Sequence, residues 1–206
     1  MRERSLALVA VMLGTSWLAV GCASHPSRFY LLSALPSAEM ANPPSTGQPG
    51  PTIGVGRIVL PRYLDRPQIA TRTSAYELKL AEFERWAEPL EANFTRVVAE
   101  NLATLLPSAR VTPSLWPRTA PLDYQVQIEV TLFLSQVGGE SLLIADWILL
   151  KGEGPQVLAT GKSRLSVPIG GQDYTAIVAA MSQTVAELSR EIAAATRGLG
   201  SRTSKR

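Results

Sequence analysis

The sequence predicts one α/β domain, in which two long amphipathic helices pack on a mixed sheet of about five to seven strands. Two segments carry apolar residues every three or four positions, which is typical of a helix with one buried face. Several other segments alternate between apolar and polar residues, which indicates strands with one buried face. Each helix needs a sheet face to cover, so these elements favour two or three layers over a β-sandwich.

The amino terminus has the pattern of a secretory signal peptide. Arg2 and Arg4 precede an almost wholly apolar run from Leu6 to Val20. A transmembrane helix needs about 20 apolar residues, and this run is shorter. Residues 1–21 are therefore predicted to be a signal peptide that is removed.

The only cysteine, Cys22, follows small residues at Ala19 and Gly21. This segment resembles a bacterial lipobox, although Ala19 stands where leucine is usual. The resemblance implies acyl chains such as palmitate on Cys22, and no other cofactor is expected. Acylation would also remove a lone thiol, which could form no disulfide within the chain. The alternatives are an uncleaved apolar anchor and a plain secreted protein.

The charges give no indication of nucleic-acid binding. The chain has 20 lysines and arginines against 17 acidic residues, a formal net charge of +3, and several of the bases lie in residues 202–206. A nucleic-acid-binding surface needs basic residues clustered on one face. No nucleic-acid partner is therefore predicted.

Residues 22–27 form a short tether that contains the only histidine, His25. Five or six residues reach only about 20 Å, so the first strand, expected at 28–32, must lie close to the membrane. The proline-rich residues 36–51 predict a loop. A strand that enters the core is expected next, at 52–60.

The middle of the chain predicts a turn or one helical turn at 61–67 and strands at 68–71 and 76–80. A helix follows, with Pro89 suited to its first position, and Pro107 ends it. Its predicted apolar face consists of Leu90, Phe94, Val97, Val98, Leu102 and Leu105.

After a proline-rich connection, a long half-buried strand is expected at 123–135. Glycine turns at 138–139 and 152–155 lead into strands at 141–150 and 156–167, which predicts a meander. The apolar side of the long strand is predicted to hold Tyr124, Val126, Ile128, Val130, Leu132 and Leu134, and the polar side Gln125, Gln127, Glu129, Thr131 and Ser135, with Phe133 an exception.

The last element is a long helix that Asp173 is suited to cap and that Gly198 is expected to end. The domain is therefore placed at residues 28–199, and residues 200–206 are predicted to be a disordered basic tail. The apolar stripe of this helix is Tyr174, Ile177, Val178, Met181, Val185, Leu188 and Ile192.

Three blocks of sequence lie in order behind the lipobox: Phe29–Leu32, Ile58–Ile69 and Arg85–Leu90. Together they resemble the ABC-type transport auxiliary lipoproteins, the PqiC-type family of membrane integrity-associated transporter subunits. The resemblance covers nearly the whole mature chain. Its most specific segments are Leu-Asp-Arg-Pro-Gln at 64–68 and Arg-Trp-Ala-Glu-Pro-Leu at 85–90, which are informative only together.

The resemblance implies a fold similar to the anticodon-binding-domain class and a ring-forming homo-oligomer that is not an enzyme. It also implies a subunit of an MCE-type system that moves lipids or other hydrophobic molecules between the two membranes of a Gram-negative bacterium. The expected partners are an MCE-domain protein that spans the periplasm as a tunnel and an inner-membrane component. Ala23, rather than aspartate, follows the cysteine, so the lipoprotein is expected in the outer membrane, facing the periplasm.

The loop of Tyr63, Leu64, Asp65 and Arg66 is a candidate contact for the transport partner or for a neighbouring subunit. The alternative interpretation is a turn in which Asp65 caps and Pro67 fixes the next strand.

Arg85 and Trp86 are a second candidate contact. The favoured interpretation is structural: the indole packs beneath the following helix, and Arg85 pairs with Glu82 or Glu88.

No catalytic or metal-binding residue is predicted. His25 and Cys22 both lie in the tether, so the domain has no histidine base for a nucleophile and no cluster of metal ligands. The acidic side chains that could form an acid and base pair, but whose even spacing is typical of a solvated edge, are Glu77, Glu82, Glu84 and Glu88.

Two further function classes stay open, namely a freestanding periplasmic carrier with a lipid in its own cavity and a structural envelope lipoprotein.

Overall fold

A computed structural model describes residues 25–36, 50–113, 121–152 and 154–203. The predicted signal peptide, the lipobox cysteine and most of the proline-rich loop lie outside the described residues. Within them the chain forms one mixed sheet with two helices, so the predicted single α/β domain is confirmed. Over the described ranges the sheet has eight strands, rather than the predicted five to seven.

In chain order, the strands are β1 (Arg28–Tyr30), β2 (Thr52–Val59), β3 (Gln68–Arg72), β4 (Leu78–Trp86), β5 (Arg110–Pro113), β6 (Tyr124–Gln136), β7 (Glu140–Lys151) and β8 (Val157–Pro168). The helices are α1 (Leu90–Leu105) and α2 (Tyr174–Thr203), and the predicted helical turn before β3 is a 3-10 turn at Arg62–Leu64.

The long strand β6 organises the sheet. On one edge it pairs antiparallel with β7, which pairs antiparallel with β8, so the predicted meander is confirmed. Along the other edge β2 and then β3 run parallel to β6. β5 lies beyond β2, whereas β4 and then β1 lie beyond β3. Gly138 makes the first meander turn with a φ of 68°, a conformation that favours glycine.

Both helices pack on one face of the sheet and against each other. Their predicted apolar stripes are buried, except for Leu105 and Tyr174, which are half-buried. Asp173 caps α2 as predicted, because its Oδ1 accepts a hydrogen bond from the Ala176 N–H at 2.8 Å. The opposite side of the sheet carries no helix in the described residues and is called the open face below.

A β-bulge at Thr131 corrects the predicted pattern of β6. Val130 and Leu132 pair with adjacent residues of β7, which leaves Thr131 as an extra residue. Beyond the bulge the two sides exchange, so Phe133 lies in the core and meets Phe94 edge to face at 5.6 Å. The residues that therefore lie on the opposite sides from those predicted are Leu132, Leu134 and Ser135.

The strand expected at 76–80 begins later and is longer. Tyr76 lies in the preceding turn with its side chain fully exposed, and β4 continues to Trp86. The charged second half of β4 is a strand because β1 pairs in parallel with it, with Arg28 opposite Glu84. The short strand β5, in the segment read as a connection, was not predicted.

The expected end of the last helix at Gly198 is also wrong, because α2 continues to Thr203. A glycine inside a helix costs about 1 kcal/mol, which tertiary contacts can offset. Such contacts are present here: Leu199 packs against the core, and Arg197 Nη1 donates a hydrogen bond to the Leu105 carbonyl at 3.1 Å.

Candidate functional site

The second and third sequence blocks meet in one cleft. It lies between the loop before β3 and the connection from β4 to α1 and has a volume of about 790 Å³. The Trp86 N–H donates a hydrogen bond to the Pro67 carbonyl at 2.7 Å, and Gln68 pairs with Arg85 in the sheet. The two candidate contact segments are therefore held side by side by the backbone.

Three of the predicted contact residues pack in or against the core, and two of them line this cleft. Leu64 and Trp86 line it, yet their side chains are only 4% and 5% exposed and belong to the core. Tyr63 is half-buried, and its Oη accepts a hydrogen bond from the Phe133 N–H at 3.4 Å. Burial raises the pKa of Tyr63, although the Phe133 contact opposes the shift. Leu64 and Trp86 therefore chiefly shape the cleft, whereas Tyr63 lies outside its lining.

Asp65 and Arg66 form the exposed rim of the cleft. In the part of the chain that the structure describes, neither side chain makes an ion pair. The 3-10 turn is closed by the Asp65 N–H, which donates to the Arg62 carbonyl at 3.1 Å, and not by the Asp65 carboxylate. The rim therefore presents one acid and one base to solvent.

The expected pairing of Arg85 with Glu82 or Glu88 is wrong. Glu88 instead accepts a hydrogen bond from Arg96 Nη2 at 2.7 Å, and this contact is the main reason why the pKa of Arg96 is raised. Arg85 lies on the open face, outside the cleft. Its Nε is buried and has no hydrogen-bond partner among the described residues.

Two buried asparagines of α1, which were not predicted from the sequence, hold the segment that follows β1. The Leu32 N–H donates to Asn93 Oδ1 at 2.7 Å, and the Leu35 N–H donates to Asn101 Oδ1 at 2.7 Å. Asn101 Nδ2 also donates to Ser189 Oγ of α2 at 3.3 Å. Both asparagines are fully buried on the apolar stripe of α1. A polar residue in an apolar stripe needs a buried hydrogen-bond partner, and this was the signal in the sequence that could have identified them.

A second, mostly apolar groove lies between this segment and α2, with a volume of about 750 Å³. Its apolar lining includes Leu35 from the segment and Val178 and Ala186 from α2. Tyr30 also lines it, and its ring lies 6.4 Å from that of Tyr174.

Within the described residues, no group of three or more histidine, cysteine, aspartate or glutamate side chains is placed to hold a metal ion. Three of the four glutamates considered as an acid and base pair are engaged separately: Glu84 lies 4.0 Å from Arg28, Glu77 accepts a hydrogen bond from Thr73, and Glu88 accepts one from Arg96. None of the described helices is long and apolar enough to cross a membrane.

Two solved structures share this fold. One is the crystal structure of an uncharacterized protein, with a TM-score of 0.66 and 20% identity over 82% of this chain and 97% of that chain. The other is protein XCC0632 from Xanthomonas campestris, with a TM-score of 0.66 and 19% identity over 87% of this chain and all of that chain. At these identities the likeness establishes the fold alone.

The family of this chain is identified by the similarity of its sequence to known proteins. The model of the ABC-type transport auxiliary lipoprotein component family matches residues 30–193, so this chain belongs to that family and the resemblance in the three blocks is confirmed. The chain is 26% identical over 141 residues to the intermembrane transport lipoprotein PqiC of Escherichia coli K12, which covers 68% of this chain and 72% of that protein. PqiC of Shigella flexneri matches equally well.

Proposed function

We propose that this protein is an outer-membrane-anchored periplasmic subunit of an MCE-type system for lipid transport between membranes. Family membership across residues 30–193 is the observation that carries the proposal. The similarity to proteins named intermembrane transport lipoprotein supports the same role. In this role the protein assembles as a homo-oligomer, binds the tip of the MCE-domain tunnel protein and fixes it at the outer membrane. The protein contributes by docking the tunnel protein and carries out no catalytic step.

The proposed docking site is the cleft between the two sequence blocks. Its floor is held in place by buried side chains, whereas Asp65 and Arg66 on its rim are exposed and make no ion pair among the described residues. Exposed charges that the fold itself does not use are available to a partner, where they fix register and orientation.

Removal of the two rim charges tests this docking site. The double variant Asp65→Ala, Arg66→Ala should unfold at the same temperature as the wild type and lose co-purification of the MCE-domain protein. The matched control removes Asp146 and Lys162, an exposed acid and base 3.3 Å apart on the open face. Full retention of the partner by the rim variant would contradict docking at the cleft.

The proposed anchor is Cys22, which lies outside the described residues. Cys22→Ala should release the protein from the membrane or leave it as an unprocessed precursor, because two or three acyl chains supply the membrane affinity. Separation of inner and outer membranes is the measurement. Unchanged outer-membrane localisation of the variant would contradict the anchor.

A freestanding lipid carrier is the second candidate function. The mostly apolar groove of about 750 Å³ between residues 31–36 and α2 favours it, since ligand sites are concave and largely apolar. Native mass spectrometry of the purified protein would detect one bound lipid per chain if the groove holds cargo.

A further inference from the structure

We infer that the aromatic patch formed by His25, Phe29 and Phe83, with Arg85 beside it, rests on the phospholipid surface that holds the anchor. The inference deepens the proposed function and depends on acylation of Cys22. It assigns a membrane-facing side to the domain, with the aromatic rings at the level of the headgroups and Arg85 bound to a headgroup phosphate.

The sheet places these side chains together. Phe29 and Arg85 are paired residues of the parallel strands β1 and β4, so both point to the open face. The rings of His25 and Phe83 lie 5.7 Å apart. Phe29 is 64% exposed, although a phenylalanine gains free energy from burial. Glu84 and Arg28 pair with each other on the opposite face of the sheet. Of the two arginines in this paired segment, Arg85 is therefore the one that faces the patch.

Arg85 supplies the second observation. Its Nε is buried but has no hydrogen-bond partner in the described part of the chain, and such groups are rare in folded proteins. The buried Nε is out of reach of a headgroup, so the phosphate would bind the two terminal Nη groups, because a guanidinium group can hold a phosphate through two parallel hydrogen bonds. A basic side chain at the surface of an anionic membrane is also attracted to the lipid headgroups.

The short distance along the chain from Cys22 to the patch indicates that the membrane covers it. Three residue steps separate Cys22 from His25, the first described residue, and they span roughly 11 Å at most. β1 begins three residues after His25 and is paired with β4, so the patch must stay close to the anchor. Phenylalanine is among the side chains that proteins bury at the boundary between lipid headgroups and acyl chains.

The test uses the acylated full-length lipoprotein in vesicles of phosphatidylethanolamine and phosphatidylglycerol with brominated acyl chains, which quench tryptophan on contact. Phe29→Trp places a reporter in the patch. Val157→Trp is the matched control, because Val157 is 52% exposed and lies on β8 at the other edge of the sheet. We expect the added fluorescence to shift to the blue and to be mostly lost for Phe29→Trp, and to stay unquenched for Val157→Trp.

Three other outcomes are distinguishable. If the protein floats with the vesicles and Phe29→Trp is not quenched, the anchor stands and the inference is overturned. A blue shift without quenching would mean that another protein chain, such as a second copy, covers the patch. This result also overturns the inference. If the protein does not float, the anchor and the inference fail together. Adding Arg85→Gln to the reporter should reduce quenching, and unchanged quenching would overturn the phosphate contact.

Discussion

Asn93 binds Leu32 through both polar atoms of its side-chain amide. Its Oδ1 accepts from the Leu32 N–H at 2.7 Å, and its Nδ2 donates to the Leu32 carbonyl at 3.4 Å. The amide therefore satisfies the backbone of an extended segment in the way that a neighbouring strand would. The segment that follows β1 is thus fixed to the helix layer by a residue 61 positions away in sequence.

Loss of this amide should weaken the whole domain. Asn93→Ala leaves the buried Leu32 N–H without its acceptor, which costs about 1 to 3 kcal/mol in the free energy of unfolding. Chemical denaturation measures the change. Thr95→Ala on the same helix is the control. Among the described residues the Thr95 hydroxyl bonds only to the Glu91 carbonyl of its own helix, so this variant should change stability by less than about 0.5 kcal/mol. Equal stability of the two variants would contradict the role of Asn93.

Trp86→Ala distinguishes a framework role from a contact role. The indole is 5% exposed, so its removal should cost about 3 to 5 kcal/mol. Tyr76→Ala, at a fully exposed aromatic residue, should leave the unfolding temperature unchanged. Normal stability of Trp86→Ala combined with loss of the partner would instead favour direct contact.

Two buried serines should respond differently to substitution by alanine. Ser163 Oγ accepts a hydrogen bond from Trp147 Nε1 at 3.1 Å and donates to Glu191, so Ser163→Ala should cost about 1 to 3 kcal/mol. Ser141 Oγ is buried without a partner among the described residues, so Ser141→Ala should be neutral or stabilising. Calorimetric unfolding of both variants compares them. A larger loss at Ser141 would contradict these hydrogen-bond assignments.

Gly161 leaves room for the ring of Trp147. A Cβ at this position would lie 2.2 Å from the indole, so Gly161→Ala should cost about 1 to 3 kcal/mol through overpacking. Gly170→Ala is the matched control, since nothing lies within 4 Å of a Cβ there. Thermal unfolding should separate the two variants, and identical unfolding temperatures would show that the Trp147 ring can move aside.

Regular patterns in the sequence predicted the helices and the meander because burial of one face enforces them. The pattern of β6 could be predicted as far as Val130. Beyond it the extra residue at Thr131 depends on pairing with β7 and on the contact of Phe133 with Phe94, which are long-range effects. Propensity alone also placed the end of α2 at Gly198, where tertiary contacts prevail.

The candidate site was predictable only in part. The two sequence blocks could be singled out, but their meeting in one cleft depends on the pairing of Gln68 with Arg85 across the sheet. Asn93 stood in the apolar stripe of α1 as a polar residue that needs a partner, but nothing local identified Leu32 as that partner. Cys22 and its acylation remain a prediction from the sequence.

Affinity purification of the tagged full-length lipoprotein from detergent-solubilised envelopes tests the central claim most directly. Mass spectrometry of the co-eluting proteins and lipids is the readout. The account predicts an MCE-domain protein in the eluate, retained in the Asp146 and Lys162 control and lost in the Asp65 and Arg66 double variant. Stoichiometric lipid without such a partner would contradict the docking role and favour a carrier. If the eluate contains no such partner and no lipid, the result would indicate a structural lipoprotein.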